Sequence, residues 1–309
     1  MTNIIVLVGL SNSLKSDFAL MLSKETGATV LSSGVVRRER DWDSERNVFD
    51  ELDRRVVAEL RNGNDCILDS TNVSSAKRIK LLRKLAAELN GIPIHKTCVV
   101  MATPYWVCQL INKMRGSRVP EDAIEYAYRH WQTPAYWEGW DEIWFNYQLP
   151  DWIGSNNTPD DFVQDALSYD LEAEGHAHAL GGHCNSVYNH VNGFLDSRGR
   201  YAENETRDAS LLAAALLHDC GKPIVKCYDE NGNALYYNHA NVGAYEAMFF
   251  KYEPSVDPVY VSDLITYHMD PFDWNENARS RGAAMQRWGC QFLEDIEILH
   301  GADVKGKTV

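Results

Sequence analysis

Apolar and polar positions fall into short alternating blocks along the first half of the chain. The run "IIVLVG" at 4–9 is almost wholly apolar and closed by Gly9, which is the pattern of a strand buried on both faces. "SDFALMLSKETG" follows with helical spacing and a closing Gly27. "ATVLSS" predicts a second strand, and "NVFDELDRRVVAELRNG" an amphipathic helix closed by Gly63. "DCILDSTN" predicts a third strand ending in polar residues, "AKRIKLLRKLAAELNG" a basic helix, and "PIHKTCVVMA" a fourth strand. The order βαβαβαβ predicts a parallel sheet covered by helices.

Near residue 146 the pattern changes. "NYQLPDWIGSNNTPDD" is rich in Pro, Gly, Asn and Asp and reads as a linker. Beyond it strand patterns nearly vanish, while "NSVYNHVNGFLDS", "DASLLAAALLHDCG", "NVGAYEAMFFKY" and "VYVSDLITYHM" all read as helices. The expected organisation is therefore two domains: α/β over 1–146, a linker over 147–175, and an all-α domain over 176–309.

Composition narrows the classes. Of 309 residues 45% are hydrophobic and 24% charged, as in globular proteins. No apolar run approaches the roughly 18 residues of a membrane span. The amino terminus lacks the basic region of a signal peptide. Seven scattered cysteines, an odd number, do not read as a disulfide framework. A cytoplasmic location and no membrane partner are expected, with the oligomeric state open. The net charge of -14 argues against nucleic-acid binding by the whole surface. Arg37–Arg40 and Lys77–Lys84 are nevertheless locally basic, each either a solvated helix face or a local groove.

Two stretches carry chemistry. In "VGLSNSLKSD", Gly9, Lys15 and Ser16 fit the phosphate-binding loop G-x-x-x-x-G-K-[ST], but Leu14 stands at the second glycine. Such a loop holds phosphates on backbone N–H groups, with the lysine on the β/γ-phosphates and the serine on Mg²⁺. The rest of this half adds "LSSGVVRRE", "DSTN" at 69–72, "NKMRGSRVPEDAI" and "TPAYWEGWDEIWF". This succession resembles the phage-type polynucleotide kinase family of P-loop phosphotransferases.

The resemblance implies ATP or GTP with Mg on Gly9, Lys15 and Ser16, and Arg37 on the acceptor's phosphate. Asp69 and Thr71 would line the acceptor site, and Arg115, with Arg118, would form the lid over the transferred phosphate. The family has an aspartate as general base after the two serines, where this chain has Gly34. Losing a general base costs a factor of roughly 10²–10⁴. The two departures leave open an intact kinase, a weakened or repurposed one, and a P-loop domain that only binds.

In the second half, "LLAAALLHDCGKP" delivers His218 and Asp219 side by side at a helix end, a mixed N/O donor pair. His183 and His190 lie upstream in "GGHCNSVYNHVNGFL", and His239, His268 and Asp303 follow in "YYNHANVGAYEA", "LITYHMDP" and "EILHGADVKG". His95, His130, His176, His178 and His300 read as ordinary surface or core histidines. The ordered set H…HD…H…H…D resembles the HD superfamily of metal-dependent phosphohydrolases.

That resemblance implies His190, His218, Asp219 and Asp303 as metal ligands, with His239 and His268 on a second metal or on the scissile phosphate. Lys222 would bind phosphate, and His183 would donate a proton or support the ligands. Spacing leaves His183 or His190 open as the first ligand, and His190 is taken. The metal is one of Mn, Fe, Co, Ni, Zn or Mg, and it would activate water for in-line attack on phosphorus. Arg279 and Arg281 either touch substrate phosphate or lie in a solvated loop.

Together the two halves suggest a bifunctional enzyme acting on nucleic-acid ends. A 3′-phosphatase or 2′,3′-cyclic phosphodiesterase would be joined to a 5′-kinase-like domain. The alternative is an HD nucleotidase or phosphodiesterase acting on small nucleotides, with the P-loop half as a binding or regulatory module.

Overall fold

Five parallel strands organise the first half. In this computed structural model, β1 (Thr2–Val8), β2 (Thr29–Ser32), β3 (Cys66–Asp69), β4 (Ile94–Met101) and β5 (Glu142–Asn146) lie in the order β2-β3-β1-β4-β5. The structure describes residues 1–39, 41–147, 157–172, 179–199, 204–274 and 278–307. The chain divides into one unit of Met1–Ala127 with Pro134–Pro150 and another of Tyr128–Thr133 with Asp151–Val309. Of the expected linker over 147–175, residues 148–156 and 173–175 lie outside the described residues, as do Arg40, His176 and His178.

The helices of the first unit are α1 (Lys15–Thr26), α2 (Ser33–Arg38), α3 (Glu45–Arg61), α4 (Ser75–Glu88), α5 (Tyr105–Met114) and α6 (Glu121–Arg129), the last ending in Tyr128 and Arg129, which belong to the second unit. Leu7, Ile67, Val99 and Met101 of the strands bury against Phe18 and Ala19 of α1. The sequence pattern anticipates the first four strands. It passes over β5, where among five residues only Ile143 is buried, because an edge strand lacks a continuous apolar run.

Parallel pairing puts the carboxyl ends of the strands on one edge, where ligands bind in open α/β sheets. The register sets Leu7 and Ser32 each opposite Asp69, so the loop after β1, the end of β2 and the end of β3 meet. A buried ion pair steadies the loop after β3. Arg78 donates from Nε and Nη2 to Glu138 at 2.8 and 2.6 Å, and from Nη1 to the Asn72 carbonyl at 2.8 Å. Trp140 adds an indole donor to Glu138 at 2.9 Å. Breaking such a pair on one side typically costs about 3–5 kcal/mol.

The second unit is helical, as the pattern predicts. Its elements are α7 (Pro159–Asp165), α8 (Leu180–Ser197), α9 (Glu205–Leu217), α10 (Lys222–Val225), α11 (His239–Ala247), α12 (Pro258–Tyr267), α13 (Asp270–Trp274) and α14 (Ala278–Gly306), the last kinked at Gly289. Among the described residues its strands are the two-residue pair β6 (Cys227–Tyr228) and β7 (Ala234–Leu235). Val163, Leu180, Cys184 and Leu216 bury together and tie α7, α8 and α9. Gly221, between α9 and α10, lies so close to α11 that a Cβ there would sit 2.1 Å from the His239 carbonyl oxygen. That approach brings His239 to the residues following α9. Among the described residues no helix is long and apolar enough to cross a membrane.

Candidate active site

In the second unit six helices deliver one cluster. His183 comes from α8, His218 and Asp219 follow α9, Lys222 begins α10, His239 begins α11, His268 follows α12 and Asp303 lies on α14. All seven are buried. Helix ends place them well, because the backbone carbonyls there are free to accept from imidazole Nδ1–H. His218 donates to Ala215 at 3.0 Å, His239 to Tyr236 at 2.9 Å and His268 to Ile265 at 2.8 Å. A carbonyl can only accept, so these contacts put the proton on Nδ1 and leave Nε2 as a lone-pair donor.

The carboxylate of Asp219 divides the cluster. Its Oδ2 lies 3.3 Å from His218 Nε2 and 3.5 Å from His183 Nε2, and its Oδ1 lies 3.3 Å from His239 Nε2 and 3.8 Å from His268 Nε2. Asp303 Oδ1 completes the first side, 3.2 Å from His183 Nε2 and 3.9 Å from His218 Nε2. Two sets of donors result, His183, His218 and Asp219 on one side and Asp219, His239 and His268 on the other, each within 4.8 Å.

The donor chemistry fits a divalent metal. His239 and His268 face each other through Nε2 at 3.3 Å, with both lone pairs pointing inward. Such a pair repels unless a cation lies between. A proton does not serve at His268, whose pKa is pushed down to about 3 by burial and by His239 and His218 beside it. His183 Nε2 lies 3.2 Å from His218 Nε2. Burial opposes a charge on His183, but Asp219 and Asp303 prevail and raise it to about 9. Burial would also lift Asp219, yet Lys222 and His218 hold it well below the usual carboxylate range. Buried imidazole and carboxylate sets of this kind suit first-row divalent metals.

The ligand expectation needs one correction. His183, not His190, enters the cluster. His190 is half-buried on the same helix and bonds its own Ser186 carbonyl at 2.8 Å. Lys222, read as a phosphate contact, lies 2.6 Å from Asp219 Oδ2. Lys307 escaped the sequence reading and lies 3.3 Å from Asp303 Oδ2. Its signal was the i,i+4 spacing from Asp303. Arg281 pairs with Glu297 on the surface rather than facing the cluster.

In the first unit the loop after β1 keeps the geometry of a phosphate-binding loop despite its altered letter. Leu14 adopts the left-handed φ of 64°, the conformation a glycine would take freely there. A side chain in that region costs roughly 1–2 kcal/mol. Lys15 folds over the loop, donating to the Gly9 carbonyl at 3.0 Å, the Leu10 carbonyl at 2.5 Å and Ser13 Oγ at 3.2 Å. Burial lowers its pKa to about 8 against the charge of Asp69. Gly9 N–H donates to the Thr71 carbonyl at 2.9 Å, which joins this loop to the one after β3.

Asp69 Oδ2 accepts from Ser16 Oγ at 2.7 Å and from Ser32 Oγ at 3.0 Å. Ser16 Oγ and the Asp69 carboxylate thus stand together at the end of the sheet, and Ser32 is a neighbour the sequence reading missed. Gly34 lies on α2, where a Cβ would meet Ser32 Oγ and Arg38 Nη1 at an ordinary 3.6 Å. The arginines lie apart from this cluster. Arg37 is bound through two bonds, 2.8 and 2.7 Å, to Glu45. Arg115 pairs with Asp17 at 3.1 Å, and Arg118 is exposed. Thr71 is half-buried.

The comparisons with known proteins follow the same division. Residues 4–134 match the model of the AAA domain, and residues 180–302 match that of the HD domain. No curated protein matches the chain. Solved structures similar to it include a fungal RNA kinase at 9% identity, covering 48% of this chain and 76% of that one with a TM-score of 0.38. A gluconokinase from Sinorhizobium meliloti 1021 is 13% identical, with coverage of 48% and 84% and a TM-score of 0.35. The APS kinase of Mycobacterium tuberculosis, in complex with AMPPNP and APS, is 19% identical, with coverage of 48% and 90% and a TM-score of 0.34. Residues 4–134 are thus similar to the AAA domain and residues 180–302 to the HD domain, one match for each of the two sites.

Proposed function

We propose that the protein is a bifunctional enzyme of nucleic-acid end healing. The HD domain removes 3′-phosphates, or opens and removes 2′,3′-cyclic phosphates, and the P-loop domain is a 5′-polynucleotide-kinase-like partner weakened or inactive in transfer. The observation that carries the hydrolytic part is the single Asp219 carboxylate shared by two donor sets. His183, His218, Asp219 and Asp303 would hold one divalent metal, and Asp219, His239 and His268 a second. Bound there, such a metal supplies Lewis-acid polarisation of phosphate oxygens and a nucleophilic water at neutral pH.

The chain's own residues do the rest. Carbonyl partners at Nδ1 of His218, His239 and His268 fix the ring orientations. The Lys222 ammonium, buried against Asp219, meets the substrate phosphate and offsets charge gathering in the transition state. Lys307 stands beside Asp303 for the same role on the other side. In the P-loop domain Lys15 and Ser16 would hold nucleotide and Mg²⁺, Asp69 and Thr71 would line the acceptor site, and Arg37, Arg115 and Arg118 would meet phosphates. Gly34 offers no acceptor for the proton of an attacking hydroxyl.

The test is phosphate release from a 3′-phosphorylated oligonucleotide across Mn, Fe, Co, Ni, Zn and Mg. Metal-dependent release is expected, and no release with any of the six sinks the reading. The net charge of -14 favours a second reading, an HD nucleotidase on small nucleotides. Mononucleotides assayed beside the oligonucleotide, at matched concentration, separate the two by kcat/KM.

A further inference from the structure

One segment belongs to the α/β half by chain position and to the helical unit by packing. Helix α6 begins at Glu121 in the first unit, but its last two residues and the turn after them make up Tyr128–Thr133 of the second. There Trp131 and Thr133 are fully buried and Tyr128 nearly so. Tyr128 and Trp131 set their rings edge-on to Tyr245, with centres 5.2 and 5.0 Å away. The Tyr128 hydroxyl donates to Glu246 at 2.5 Å, and Asn241 donates from Nδ2 to the Trp131 carbonyl at 2.6 Å. Thr133 Oγ1 lies 3.4 Å from Thr266 Oγ1.

These partners come from two helices. Asn241, Tyr245 and Glu246 lie on α11, which His239 begins, and Thr266 lies on α12, two residues before His268. The segment thus packs on the two elements that deliver the imidazoles of the second donor set, whose Nε2 atoms stand 3.3 Å apart. A shift of α11 against α12 changes that spacing directly.

The other end of α6 is tied to the phosphate-binding loop. Asn112 on α5 is fully buried. Its Oδ1 accepts from Asn12 Nδ2 and from the Val119 N–H, each at 3.2 Å, and its Nδ2 donates to the Val119 carbonyl at 2.8 Å. Asn12 lies in the loop after β1 with a left-handed φ of 66°. Val119 lies two residues before the first residue of α6.

We infer that residues 128–133 carry the nucleotide state of the phosphate-binding loop to His239 and His268, acting as positioning residues for the second donor set. Phosphate held on the backbone N–H groups of the loop fixes its conformation. Asn112 relays that conformation to Val119. A helix, whose backbone hydrogen bonds are internal, passes displacement from one end to the other. A solvated helix end would dissipate the shift in water. A fully buried Trp131 cannot, because close-packed side chains have discrete arrangements rather than a continuous range. The inference rests on the kinase-like reading, by which the first half binds nucleotide, and is independent of the phosphatase reading.

The test is amide hydrogen exchange over His239–Ala247 and Pro258–Tyr267 in the full chain, with and without AMPPNP and Mg²⁺. Calorimetry on the same samples follows nucleotide binding. Bound AMPPNP is expected to slow exchange in both helices at least about fivefold, the lower end of ordinary coupling between sites. Tyr128→Phe keeps the ring and removes the bond to Glu246, and Asn241→Ala removes the bond to Trp131. Each is expected to bind AMPPNP as the unsubstituted chain does and to lose most of the response. The two are made separately, so that misfolding of one leaves the other to decide. Lys15→Ala is expected to lose nucleotide and response together. AMPPNP binding without slower exchange, or a full response in both Tyr128→Phe and Asn241→Ala, overturns the inference and leaves the kinase-like reading standing. No binding of AMPPNP to the unsubstituted chain overturns both.

Discussion

The two halves hold phosphate chemistry by different means, and they differ in what substitution does to them. The P-loop half relies on backbone geometry, and its loop keeps the left-handed turn at residue 14 although leucine has replaced glycine. The HD half relies on side-chain donors, and every one of its seven clustered residues is buried and present. A backbone cradle survives a changed letter at the cost of strain. A donor set cannot, because a missing nitrogen or oxygen has no substitute. Position 34 differs in kind: a glycine there carries no side-chain atom that could accept a proton.

The largest expected effect tests the shared carboxylate. Asp219→Ala should abolish hydrolysis, a loss of at least about 10³-fold, because several kcal/mol of metal-derived stabilisation disappear together. Metal stoichiometry by elemental analysis should fall at both donor sets. Full activity in this variant would break the contrast at its stronger end.

Next comes the weaker end. Gly34→Asp has room at 3.6 Å from its neighbours and should raise ATP-dependent phosphorylation of a 5′-hydroxyl oligonucleotide by about 10²–10⁴-fold. An unchanged rate would mean that the proton acceptor is not what this half lacks.

A smaller effect sharpens the ligand assignment. His183→Ala should lower metal affinity by at least about 10–100-fold, the range that even an outer partner commands. His190→Ala should leave it unchanged, and competition with a chromophoric chelator reads both. The smallest effect concerns strain. Leu14→Gly should stabilise the chain by about 1 kcal/mol, part of the left-handed penalty being returned as glycine's backbone entropy. The urea midpoint would show it, and a fall there would place the strain elsewhere.

Much of this was legible in the chain because it is local. Four apolar runs closed by glycine or polar residues mark four strands, and helical spacing marks the second half as α. The strand over 142–146 was not legible, since its edge position exposes most of its side chains. His183 and His190 were inseparable for a geometric reason. Seven residues are nearly two full helical turns, so both lie on one face of α8. Only the depth at which α9 and α14 cross that face puts His183, and not His190, beside His218 and Asp303. Arg37 shows the same limit: its number matched a motif, but its hydrogen bonds go to Glu45.

By itself the sequence determined the order of the two folds, the residue types of each site and the two departures at Leu14 and Gly34. Those follow from composition and spacing along the chain, which need no partner to be read. The tertiary structure decided which histidine joins the donors and how Asp219 divides its two oxygens. Each of these depends on side chains distant in sequence arriving within a few ångströms, and spacing along one element cannot specify what a second element brings to it.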